Sequence, residues 1–89
     1  MKFRRSETAV STNIDGEEIL LDSEAGIYFA LNEVASDVWQ LLDQPITLIE
    51  IVAFICDAYD VSESECKEAI ENLLAELGRH KLIVEEFPA

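Results

Sequence analysis

The side chains able to do covalent or metal chemistry are few: Cys56, Cys66 and His80 are the only two cysteines and the only histidine in 89 residues. A thiol–imidazole pair, a serine triad or a zinc site needs these residue types at a workable spacing, and neither Cys-x-x-Cys nor His-x-x-x-His occurs. As a nucleophile Cys66 needs a depressed pKa, whereas Glu63, Glu65 and Glu68 crowd its turn and push the other way. Both thiols also fall at apolar helical positions, where cysteine acts as a small buried hydrophobe. No catalytic, metal or cofactor constellation can be assembled, so an enzyme ranks last among the function classes.

The remaining chemistry is that of the backbone itself. Gly26-Ile27-Tyr28-Phe29-Ala30-Leu31-Asn32 is a turn glycine, five apolar residues and a helix-capping side chain, which reads as a short strand running straight into a helix. Such a strand is too apolar to lie in water on both faces, so the domain's own helices or a partner must cover the second one.

Composition bounds the partner. Nineteen acidic residues against six basic ones leave a net charge of -13. That surface repels phosphate backbones and anionic lipid, which disfavours nucleic acid and membrane and favours a protein or peptide of basic character. No apolar run approaches the ~20 residues of a membrane span, and Met1-Lys2-Phe3-Arg4-Arg5 leads into polar sequence rather than a signal-peptide core, so a cytoplasmic location is expected. A chain this short has room for one domain, 1–89, with an ordered core expected over about residues 7–84.

The elements that position the apolar strand follow in order. Thr8–Ile14 alternates as a strand, Asp15-Gly16 is a tight hairpin signal, and Glu17–Asp22 returns with Ile19, Leu20 and Leu21 at its centre. With Ile27–Leu31 this makes a three-stranded antiparallel meander that needs helices on one face. Asn32 caps a first helix whose apolar positions run from Val34 to Leu42 and stop near Pro45; Trp39 in it is expected to be a core anchor. Thr47-x-x-Glu50 and Ser62-x-x-Glu65 are capping boxes opening a second, mostly apolar helix and a third running from Ser62 to about Leu77. Gly78 is the expected C-terminal cap, followed by a short strand or extended tail over Lys81–Glu85.

A three-stranded antiparallel sheet followed by three helices is an α+β plan like the winged helix-turn-helix. DNA binding does not follow from it. A recognition helix presents Arg, Lys, Asn or Gln to the groove, whereas the third helix carries Glu63, Glu65, Glu68, Glu71 and Glu76, with Lys67 its only cation before Arg79. Lys2, Arg4, Arg5, Arg79 and Lys81 make a basic patch only if the two termini meet.

Leu20-Leu21-Asp22, Gly26–Asn32, Val38-Trp39-Gln40-Leu41-Leu42, Thr47-Leu48-Ile49-Glu50-Ile51, Tyr59-Asp60-Val61 and Leu74-Ala75-Glu76-Leu77 resemble, in order, the pattern of the PqqD-like family over about residues 7–84. The branch most similar is that of stand-alone RiPP recognition elements in lasso-peptide biosynthesis. The resemblance implies a non-catalytic module without cofactor or metal. It implies a partner, the leader segment of a ribosomally made precursor, which adds as a strand to the apolar strand and lies beside the third helix. A processing enzyme, in lasso systems a leader peptidase, is then implied as the second partner.

Carried onto this chain, the resemblance assigns the peptide site to Ile27, Tyr28, Phe29, Ala30 and Leu31 on the strand and to Lys67, Ile70, Glu71, Leu73, Leu74 and Leu77 on the third helix. Alternation puts Ile27, Phe29 and Leu31 on the face toward core or groove, and Tyr28 and Ala30 on the other. Leu74, near Lys67 and Glu71, is expected at the groove wall. The chain departs from many relatives at Ala35, Ala69 and Lys81, where they carry Gly, Asp and Gly. The competing class is a winged-helix adaptor or regulator that binds a protein partner without recognising leaders.

Overall fold

Asp15 and Gly16 both adopt positive φ, 53° and 86°, so a two-residue turn joins the first hairpin with the twist its strands require. The computed structural model describes residues 1–87. On either side of that turn lie β2 (Val10–Ile14) and β3 (Glu17–Asp22), and β4 (Ile27–Leu31) completes a sheet of order β2-β3-β4. The register pairs Leu20 with Phe29 and Asp22 with Ile27, so Ile27, Phe29 and Leu31 share the inner face with the fully buried Leu20. Tyr28 and Ala30 lie on the outer face with Ile19, Leu21, Val10 and Ile14.

Three helices close the inner face: α1 (Glu33–Leu41), α2 (Leu48–Ala58) and α3 (Glu63–Arg79). Asn32 accepts from the Ala35 amide at 2.8 Å, and Thr47 and Glu50 complete a reciprocal box at 3.0 and 3.1 Å. At α3 only half of the expected box is made, Ser62 accepting from the Glu65 amide at 3.3 Å. The core gathers Leu20, Val38, Trp39, Leu42, Ile51, Ile55, Ile70 and Leu77. Trp39 is its largest member, buried with the Arg5 guanidinium 4.7 Å above its ring.

An N-terminal strand lies outside the expected ordered core. β1 (Lys2–Arg5) pairs antiparallel with β5 (Ile83–Glu86) in a separate two-stranded ribbon, and Phe3 is buried while exchanging hydrogen bonds with Ile46. Lys2-Phe3-Arg4-Arg5 carries one apolar residue and no periodic pattern; its strand character comes from distant partners that satisfy its backbone. Pro88 and Ala89, the end of the expected 1–89 domain, lie outside the described residues. The termini thus meet, yet no basic patch results: Arg4 pairs with Glu86, Arg5 donates to the Trp39 carbonyl at 2.8 and 3.1 Å, Arg79 pairs with Glu76, and Lys81 faces Glu24.

The end of α3 also corrects an expectation. Gly78 lies inside the helix, His80 caps it, and the residue at positive φ is Lys81, at 59°. Leu82 donates to the Leu77 carbonyl and Lys81 to that of Gly78, each at 3.0 Å, which is the bonding of a Schellman motif with lysine in the place glycine favours. Lys81→Gly should therefore raise stability by roughly 0.5–1 kcal/mol, because it relieves left-handed strain at an exposed position whose ion pair with Glu24 spans 3.8 Å between two mostly exposed side chains. An upward shift of the denaturant midpoint at constant m-value checks this.

Candidate functional site

β4 is an edge strand, hydrogen-bonded to β3 alone, and its chain runs through Asn32 directly into the first turn of α1. One row of backbone groups is left for another strand. Where β4 ends, a groove of about 440 Å³ opens between that turn and α3. Val34 and Ala35 form one wall, Glu65, Ala69 and Leu73 the other, with Ile55, Cys66 and Ile70 as floor and Tyr59 and Val61 at the α2–α3 end. The site is therefore a strand edge continuous with an apolar channel, a shape that takes an extended peptide rather than a small substrate.

Each wall is placed by local chemistry. Glu65 lines the groove, and its carboxylate makes no return bond to Ser62. Tyr59 caps α2, and its hydroxyl donates to Asp37 Oδ2 at 2.5 Å, tying the end wall to α1. That bond, with burial and the nearby carboxylates of Asp37 and Glu33, pushes the phenol pKa up to about 12, so the hydroxyl stays a donor. The Cys66 thiol is pushed up to about 11, first by burial, then by Cys56 beside it and last by Glu63; it is a floor residue, and burial outweighs the glutamates that sequence suggested as the cause. Among the described residues no group of three or more His, Cys, Asp and Glu is placed to hold a metal ion.

At the other end of β4, side chains alone bridge strand and helix. His80 Nδ1 lies 2.9 Å from Asp22 Oδ2 and Nε2 lies 3.4 Å from Glu76 Oε1, while the ring meets Phe29 edge-on with centroids 4.6 Å apart. The bond from His80, helped by the Ala25 amide, holds the Asp22 carboxyl below its ordinary value of 3.8.

The structure divides the sequence-predicted helix residues. Ile70 and Leu73 line the groove, and Leu77 is buried core one turn further along. Lys67, Glu71 and Leu74 lie on the opposite edge of α3. Lys67 borders a depression against α2, while Glu71 and Leu74 border another against Phe3, Ile83 and Val84 of the β1–β5 ribbon. Leu74 is 5% exposed, a core residue rather than a groove wall. On the strand, Phe29 and Leu31 are half-buried on the inner face and Ile27 is exposed at its start, whereas Tyr28, 71% exposed, and Ala30 stand on an outer face that the chain itself leaves uncovered. Glu65, Val34, Ala35, Tyr59 and Cys66 were not expected at the site, and Ala69 was marked only as a position where relatives carry an Asp. For the helix residues a signal was available, since Glu65, Ala69 and Leu73 share a helical edge at i, i+4, i+8.

A three-stranded sheet with an open edge strand, backed by three helices beside an apolar groove, defines an α+β module of winged-helix plan. A family model for coenzyme PQQ synthesis protein D (PqqD) matches residues 17–83, and the chain belongs to the PqqD family. Among solved structures it is similar to TbiB1 in complex with the TbiA(beta) leader peptide, at 32% identity and a TM-score of 0.81, covering 96% of this chain and 99% of that one. It is also similar to lasso peptide synthetase B1 complexed with the leader peptide, at 22% identity and a TM-score of 0.82, covering 96% and 100%; that likeness speaks to the fold. No curated protein matches the chain. No helix among the described residues is long and apolar enough to cross a membrane.

Proposed function

We propose that this protein binds the leader segment of a ribosomally synthesised precursor peptide and presents it to a processing enzyme, a leader peptidase of the lasso type. The observation that carries the reading is the continuity of the open β4 edge with the groove bounded by Val34, Ala35, Ala69, Ile70 and Leu73. A leader adding as a strand to β4 satisfies the edge and places alternate side chains over that groove. The other edge strand of that sheet, β2, is exposed at every residue. TbiB1, the relative at 32% identity, was captured with a leader peptide and supports the same occupant.

The peptide site comprises β4 residues Ile27, Tyr28, Phe29, Ala30 and Leu31 with the Glu65–Ala69–Leu73 edge of α3. Carboxylates of Glu17, Glu33, Asp37 and Glu65 surround the end of the strand, which favours a leader carrying Lys or Arg there. The module acts in the cytoplasm without catalysis, cofactor or metal of its own. The uncovered outer sheet face, with Val10, Ile14 and Tyr28 exposed, supports a protein partner on the side away from the helices.

Amide NMR of the labelled protein, titrated with a panel of lasso-precursor leader segments beginning with the TbiA(beta) leader, tests the reading. Shifts concentrated at residues 27–31 and along 65–73 are the expected result. Indifference to every leader, with a response to a purified protein partner instead, overturns it in favour of an adaptor.

A further inference from the structure

Resting on the recognition reading above, we infer that His80 is a positioning residue that sets the spacing between β4 and α3, and that leader affinity follows the protonation of its ring. Three observations carry this. The imidazole touches three elements at once: Asp22 at the end of β3, Phe29 in the middle of β4 and Glu76 on α3. Its backbone is held by the Schellman end of α3, so the ring is presented from a rigid point. Among the described residues no backbone hydrogen bond joins β4 to α3, so the ring supplies a link that the two backbones do not make.

The geometry makes the contact depend on charge. Both ring nitrogens face carboxylate oxygens, at 2.9 and 3.4 Å, and the side chain is 17% exposed against 12% for Asp22. A neutral imidazole donates from one nitrogen and turns a lone pair toward the other carboxylate; only the imidazolium keeps the bond to Asp22 while facing Glu76 with positive charge. The other charges nearby are Arg79, which binds Glu76 Oε2 at 2.5 Å, and the Lys81–Glu24 pair beyond the helix end. Phe29 is the neighbour from β4 and carries no charge. Deprotonation therefore removes the charge that attracts Glu76 and the charge assistance of the Asp22 bond, and loosens the hold on Phe29, the inward residue at the centre of the edge strand. A strand held in place ahead of binding loses less freedom when the peptide docks, so affinity is higher on the protonated side.

The experiment uses the full chain and exploits its single histidine. In the free protein, a pH titration that takes the ring from protonated to neutral should move the amides of residues 27–31 in step with the His80 ring protons. His80→Gln keeps one donor for Asp22 and does not titrate, and its strand amides should stay still. Affinity for the TbiA(beta) leader should fall about fivefold over the same range in the wild type and stay flat in His80→Gln, a coupling at the low end of ordinary linkage. Glu76→Gln, altered on the helix surface, should remove part of the pH dependence and serves if His80→Gln folds poorly. Strand amides indifferent to the imidazole, or a pH dependence that persists in His80→Gln, overturn the inference. A wild type that takes up no leader of the panel at either pH removes the recognition reading, and the free-protein amides then decide the role of His80 alone.

Discussion

An Ala69→Trp variant should fold as the wild type does and bind leader peptide about 30-fold more weakly or worse. Ala69 is exposed on α3 and lines the groove, so an indole there occupies the channel without entering the core. The helix loses about 0.5 kcal/mol of propensity. The peptide loses the contact that a central interface residue supplies, roughly 2 kcal/mol or more, which is the 30-fold. Calorimetric titration with the TbiA(beta) leader, beside a denaturant melt, separates the two effects. Lys67→Trp, on the opposite edge of the same helix, is the matched control and should leave affinity unchanged. Equal losses in both variants would mean that the peptide lies elsewhere.

Leu74→Lys should unfold much of the population rather than weaken binding selectively. Sequence places Leu74 at a groove wall, where a lysine head reaches water. In the structure Leu74 is 5% exposed among Phe3, Leu77 and Ile83, so the substitution puts an ammonium into the apolar core, or strains the chain to carry it out toward Glu71, and leaves a cavity where the leucine branched. A cost of roughly 4 kcal/mol follows, a large part of the stability a domain of this size has to lose. Circular dichroism and the denaturant midpoint read it directly. A folded Leu74→Lys protein with weak peptide binding would restore the groove to that edge of α3.

These two variants mark where sequence reasoning and tertiary structure part. Local chemistry was legible. Asp15-Gly16 turns because both residues tolerate positive φ, Asn32, Thr47 and Ser62 open helices because their side chains satisfy free amides, and the alternation in Ile27–Leu31 sets which residues face inward. The departure at Lys81 shows how far local preference can be overruled: buried Leu77 and Leu82 flank the turn, and the lysine accepts the left-handed conformation that joins α3 to β5.

What sequence determined by itself was therefore the order of elements from β2 to α3, the strand that carries the open edge, and the apolar stripe of α3. Tertiary structure alone decided which edge of that stripe meets β4. A helical stripe has two edges of similar composition, and nothing within 17 residues of helix says which neighbour lies on each side. The choice is made by Lys2–Arg5, which has no strand pattern of its own but finds its hydrogen bonds on Ile83–Glu86 and Ile46 and so fills the Leu74 side. The Ala69 side is left open beside Asn32. His80 is a case of the same kind: a lone histidine in the sequence, it becomes a bridge only when folding brings Asp22, Phe29 and Glu76 around one ring.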